Sequence, residues 1–291
     1  MKNLNTINKI KSFVGVKFFQ KRKPIKFIIF DVLYSIFFVN KKKLPDFINE
    51  FDKKGFVKIF PYFGNEIMKL TSNLVLAKPK SEKPPYNFEV NYEIKSITSN
   101  ILKILDNDYL VHLKKYYNAE ILPTYICLRR NTYYKKEDLK DEIYSDNFHN
   151  DAYLRTHFKI FLNLKDISEK HGPMRIVPKN KSKEFITATN YSNRMNYNEK
   201  NDKFSYLNTG KIGECLLFDP TSCFHRAGVP EENYHRDYMI ITFVCVPRND
   251  NLIKSLIKTD IFKYEDNPLL SLSKPRKFSQ VFNQLFNFYK Y

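Results

Sequence analysis

Residues 149–178 read HNDAYLRTHFKIFLNLKDISEKHGPMRIVP, and within them the run Thr156–Leu164 decides the fold class. Phe158, Ile160, Leu162 and Leu164 alternate with His157, Lys159, Phe161 and Asn163. An extended strand sends successive side chains to opposite faces, so the first set is core. The second set is polar enough for solvent or for the wall of a polar pocket.

Working outward, Ile121–Arg130, Met174–Val177, Glu214–Phe218 and Asp237–Val246 also read as strands, separated by turns carrying Gly, Pro, Asn and Asp. Short strands in series without long intervening helices predict an antiparallel sandwich or barrel, a mainly β fold with flanking helices. The polar stretch Ala188–Lys203 interrupts the series and reads as a long loop or lid.

Before residue 120 the pattern is helical. Leu44–Lys53 has helical spacing with Pro45 in its first turn, and Gly55–Phe60 follows as a short strand. Asn65–Ala77 and Tyr92–Leu105 are further helices, the second with Ile94, Ile97, Ile101, Ile104 and Leu105 on one face. This divides the chain into a basic, partly helical extension (1–45), a main domain (46–250) and a helical tail braced on it (251–291).

Aromatic residues make up 16% of the 291 residues, and hydrophobic ones 43%, enough for a sizeable core and too much for a disordered chain. The formal charge is +18, but the lysines are dispersed and no nucleic-acid motif accompanies them. A solvated basic surface is favoured over nucleic-acid binding. Cys127, Cys215, Cys223 and Cys245 form no CxxC pair and three lie in apolar runs, which points to a reducing compartment, the cytoplasm, without disulfides. Phe27–Val39 is apolar but short and interrupted by Asp31, so it is not a membrane span. Its flanking lysines permit peripheral contact with anionic lipid, and packing against the main domain is the favoured alternative.

The chemistry concentrates at His149-Asn150-Asp151. On an extended segment the side chains at i and i+2 point the same way, so both can reach one ion. An imidazole and a carboxylate suit Fe(II), and a second histidine completes a facial triad with open positions. The spacing alone is weak, because His235-Arg236-Asp237 repeats it. Only the first copy is followed by a strand, by Gly172-Pro173 leading to Pro178, by Gly213–Asp219 and by His225, with Arg236 eleven residues further on.

That ordered set resembles the phytanoyl-CoA dioxygenase-like family of Fe(II)/2-oxoglutarate oxygenases, over roughly residues 120–247. The resemblance implies a double-stranded β-helix core (jelly-roll, cupin-like) with Fe(II) bound by His149, Asp151 and His225. It further implies 2-oxoglutarate as cosubstrate, its distal carboxylate paired with Arg236, and Phe161 on the pocket-facing side nearby. Asp151 argues against a halogenating variant, which lacks that carboxylate. The reaction implied is hydroxylation of a small organic or lipid-like substrate by dioxygen, with release of succinate and CO2. His157 and His171 read as structural or supporting groups. Lys159 with Arg129 or Arg130 mildly favours an anionic substrate. The rival readings are a nucleic-acid oxygenase with the same iron site and a non-catalytic jelly-roll binding protein.

Overall fold

A computed structural model describes residues 25–40, 42, 44–76, 86–135, 147–151, 153–182, 203–263, 267–274 and 277–290. The expected lid, Ala188–Lys203, lies outside the described residues except for Lys203.

The helical elements come first. α1 spans Ile25–Phe37 and α2 Asp46–Lys54, followed by β1 (Phe56–Ile59), α3 (Glu66–Leu76) and β2 (Tyr86–Asn87). α4 (Tyr92–Leu105) starts where the Asn91 side chain accepts the Ile94 N–H, satisfying one orphan donor of the first turn. Its face Ile94, Ile97, Ile101 and Leu105 is buried, as the 3.6-residue period requires. A π-helical turn, Asp106–Leu110, leads into α5 (Val111–Tyr117).

The β region follows as β3 (Glu120–Thr132), β4 (His157–Asn163), β5 (Arg175–Ile176), β6 (Tyr206–Leu207), β7 (Cys215–Phe218), β8 (His225–Arg226) and β9 (His235–Val246). The chain ends in α6 (Asp250–Leu256), α7 (Pro268–Ser273) and α8 (Phe278–Lys290). All strand pairings are antiparallel. One sheet has the order β1-β7-β4-β9-β3-β2, and a smaller one has β6-β5-β8. An antiparallel bridge adds His149 to the free side of β8.

Four neighbouring strands of the large sheet (β7-β4-β9-β3) thus lie opposite a small sheet ordered β6-β5-β8-His149. Along the chain, β3 is in the large sheet, His149 in the small, β4 in the large, β5 and β6 in the small, β7 in the large, β8 in the small and β9 in the large. This alternation between two sheets is the jelly-roll, or double-stranded β-helix, topology. Side chains from both sheets meet between them, with Phe56, Leu216, Phe218 and Phe161 from the large sheet against Met174, Ile176 and Cys223.

The other face of the large sheet carries the helices. Phe158, Ile160, Leu162, Leu217, Met239, Ile241 and Phe243 pack there with Ile48, Phe51, Ile101, Leu113 and Tyr117 in the main core. Each such side chain contributes about 1.5–3 kcal/mol by leaving water. α1 joins this core through Phe27, Phe30 and Tyr34, so the packed reading of the apolar N-terminal run describes its inner face. Because β4 is covered on both sides, His157 and Asn163 are buried instead of solvent-facing.

Candidate metal centre between the sheets

The three sequence-chosen ligands come together. His149, Asp151 and His225 place one donor atom each within 4.8 Å of one another. Backbone pairing fixes the two histidines: the His149 N–H donates to the His225 carbonyl at 2.9 Å, and the His225 N–H to the His149 carbonyl at 2.7 Å. Their rings consequently lie 4.3 Å apart, centroid to centroid. Asp151 follows two residues on, its N–H held by the Pro220 carbonyl at 2.8 Å.

Alternation explains why the sequence around each histidine reads as it does. Phe148 and Phe224, the preceding residues, turn to the opposite side and bury with Val177 in an apolar cluster. Arg226 stacks over Phe148, 5.5 Å from its ring centroid. The turn leading to His225 is organised by Asp219, whose carboxylate accepts the Thr221 N–H and hydroxyl and the Ser222 N–H.

The donor set fits a divalent transition metal. His149 Nδ1 lies 2.9 Å from the Asn147 carbonyl and His225 Nδ1 3.2 Å from the Cys223 carbonyl. A carbonyl accepts only, so each Nδ1 carries the proton and each Nε2 presents its lone pair, the arrangement of metal-binding histidines. Burial, followed by the neighbouring His149, holds His225 well below its usual pKa and therefore neutral. Burial on its own would raise Asp151, but the Lys159 ammonium against it outweighs that and keeps the carboxylate well below its usual range. Two imidazole nitrogens and one carboxylate suit Fe(II), Co(II) or Ni(II).

Lys159, read from the sequence as a mild pointer to an anionic substrate, has a carboxylate partner within the protein. It was placed on the pocket face of β4, but only the fold brings its Nζ to 2.6 Å from Asp151 Oδ2. Asp151 Oδ1 lies instead 3.8 Å from His149 Nε2. The lysine therefore holds one carboxylate oxygen and turns the other toward the histidines.

A row of rings leads away from the triad. Phe218 meets His225 edge-on at 4.7 Å, Phe161 lies 6.1 Å from Phe218, and Tyr238 stacks on Phe161 at 6.0 Å. Arg236 ends the row, buried with its guanidinium 4.9 Å from the Tyr238 centroid and with Nη1 donating to the Gly172 carbonyl. Phe161 thus lines the space between the sheets, with Arg236 at the other end of the row from His225. Of the remaining sequence candidates, Arg130 forms a bidentate ion pair with Asp237 and Arg129 bonds Asn87. His157 stacks on Tyr153 at 4.2 Å, and His171 caps a short turn through Ser168.

A second polar group braces the site from the helical side. The Arg155 N–H donates to Asp31 on α1, and its guanidinium reaches Asp52, Tyr116 and Ser35. Lys179 donates to the Asp52 carbonyl at 2.9 Å. Arg155 stands four residues after Asp151, so this network anchors the loop that carries the carboxylate ligand.

No family model matches the chain, and no curated protein matches it. The resemblance to the phytanoyl-CoA dioxygenase-like family therefore rests on the ordered motifs alone. Several solved structures share part of its shape. The non-heme alpha-ketoglutarate-dependent epimerase SnoN from nogalamycin biosynthesis is 13% identical over 68% of this chain and 81% of its own, with a TM-score of 0.43. HygX from Streptomyces hygroscopicus, solved with nickel and 2-oxoglutarate, is 14% identical over 68% and 85%, at 0.48. EctD from S. alaskensis, solved with 2-oxoglutarate and 5-hydroxyectoine, is 12% identical over 72% and 80%, at 0.49. Likenesses this distant carry no argument about chemistry, and the jelly-roll assignment stands on the strand register above.

Proposed function

We propose that this chain is an Fe(II)- and 2-oxoglutarate-dependent oxygenase that hydroxylates a small organic or lipid-like substrate. The observation that carries the reading is the triad itself. Two histidines and an ionised aspartate meet between the sheets of a jelly roll, with both Nδ1 atoms facing backbone carbonyls.

His149, Asp151 and His225 would hold the iron, and Arg236 would grip the distal carboxylate of 2-oxoglutarate, a task suited to its planar fork. Fe(II), when bound, supplies the dioxygen chemistry by which 2-oxoglutarate, O2 and a substrate C–H become succinate, CO2 and a C–OH. The protein's own residues bind, orient and exclude. Lys159 restrains Asp151 to presenting a single oxygen. The row Phe218, Phe161 and Tyr238 keeps water from the space between the iron ligands and Arg236. The Arg155 network fixes the loop after Asp151, so the ligands need little reorganisation on metal binding.

The test is an anaerobic titration with Fe(II) and 2-oxoglutarate, followed by an oxygen pulse and a succinate assay. The wild type should develop a weak visible charge-transfer band and release succinate, and His225→Ala should do neither. Arg236→Met should keep metal binding while raising the KM for 2-oxoglutarate about thirtyfold or more, the loss expected for a charge-assisted pair. A wild type that takes up no iron and forms no succinate would overturn the proposal in favour of a non-catalytic binding protein.

A further inference from the structure

Half of the exposed large hydrophobic side chains among the described residues sit on two helices, α1 and α8. The helices pack on each other, Phe288 of α8 lying 4.9 Å from Tyr34 and 5.9 Å from Phe38. Each buries one stripe. Phe27, Phe30 and Tyr34 of α1 and Val281, Leu285 and Phe288 of α8 enter the core. Each also presents a second apolar stripe outward at helical spacing: Ile28, Val32 and Ile36 on one, Phe278, Phe282 and Phe286 on the other. Ile36 is 67% exposed and Phe286 63%, so these are not rim residues of the core. Singly scattered apolar residues are ordinary on a surface, whereas outward stripes on two helices packed together mark something that covers them.

Charge identifies the cover. Residues 1–45 hold eleven basic side chains and one acid, and residues 267–291 hold four basic side chains and none. The single acid, Asp31, is turned inward to accept the Arg155 N–H. The segments bearing the two stripes therefore carry most of the formal +18 charge and show no carboxylate to the outside. Lys42, Lys277 and Lys290 are exposed near the helix ends. Two copies of such a face would repel each other, and no helix among the described residues is long and apolar enough to cross a membrane. Apolar stripes with exposed lysines near their ends, on helices of 13 residues each, fit helices lying in the headgroup region of a bilayer.

We propose that α1 and α8 together form a docking face for an anionic phospholipid bilayer, with Ile36, Phe282 and Phe286 inserting and the lysines meeting the headgroups. This is independent of the iron site and needs no turnover to test. The full chain is sedimented with phosphatidylcholine vesicles and with vesicles of roughly one-third phosphatidylserine. Binding to the anionic vesicles should be about tenfold tighter or more, since two lysines at the surface suffice for that factor. The double variant Phe282→Ser, Phe286→Ser should weaken it by about tenfold, although it changes no charge. Val32→Ser with Ile36→Ser makes the same test from the other helix. Met68→Ser, at an exposed position on α3, should leave binding unchanged. Circular dichroism melts of each variant establish that the fold is retained. Equal binding to both kinds of vesicle, or serine variants that bind like wild type, would overturn the proposal. So would a lipid-free dimer that the same serine variants dissolve, which would assign the face to a second copy.

Discussion

Replacing Arg155 with methionine removes the guanidinium from the polar network that joins α1, α2, α5 and the loop after Asp151. Arg155 Nη2 lies 2.9 Å from Asp52 Oδ1 and 2.8 Å from the Tyr116 hydroxyl, and the Arg155 and Asp52 side chains are only 15% and 23% exposed. Breaking a buried pair by deleting one partner costs about 3–5 kcal/mol, because the survivor keeps its charge without its counter-ion. Lys179, 3.8 Å from the same carboxylate oxygen, compensates in part and places the loss near about 3 kcal/mol. Asp52→Asn in the Arg155→Met background removes the stranded charge, and the double variant should recover part of that loss. A double-mutant cycle by urea denaturation of the metal-free protein should therefore give a coupling of about 2 kcal/mol. A coupling under about 0.5 kcal/mol would refute the reasoning and make the pair a bystander to packing.

Two further outcomes follow from the backbone and from burial. Gly172 has φ +61, and a Cβ there would lie 2.3 Å from the Val229 carbonyl carbon, whereas Gly213 has φ +85 with nothing within 4 Å. Gly213→Ala should cost only the left-handed strain of about 1 kcal/mol, and Gly172→Ala clearly more, read as the difference in urea midpoint. His157 is pushed down to about 3 by burial and by Lys159, from an ordinary value of 6.5. The unfolded chain therefore binds this proton more readily than the folded one between those values. The neutral histidine's contribution is intact above pH 6.5 and is lost as pH falls toward 3. His157→Gln should flatten the decline of stability between pH 6.5 and 4; an unchanged slope would exclude this histidine as its source.

What could be read in advance followed local periodicity. β4 was legible because Phe158, Ile160 and Leu162 alternate through it, and Tyr92–Leu105 because its apolar side chains recur at helical spacing. β8 was not, since a two-residue strand has no period and exists only through its partners, Arg175, Ile176 and His149. The sequence helix stopped at Leu105, whereas the chain winds on through a π-helical turn, Asp106–Leu110, into α5. The polar face of β4 was correctly separated from the core face, but its burial depends on a second sheet stacking above it. At the site, the spacing of His149 and Asp151 announced a shared direction. Lys159 could be placed on the right face, but not against Asp151. The Arg155 network joins residues 31, 35, 52, 116, 155 and 179, far apart in sequence and without a shared pattern.

The reciprocal backbone pairing of His149 and His225 separates two events that are usually confounded in metalloproteins. Where ligands sit on independent loops, losing the ion and losing the loop structure are one process. Here the two imidazoles are carried by residues directly opposite each other in an antiparallel pair, joined by both of their amide hydrogen bonds. Their two amide protons form a clock inside the site, exchanging with solvent only when the strand pairing itself opens. The spacing of the two imidazoles is thus set by the backbone pairing of the protein itself, and a metal arriving there would find its two nitrogen donors already opposed.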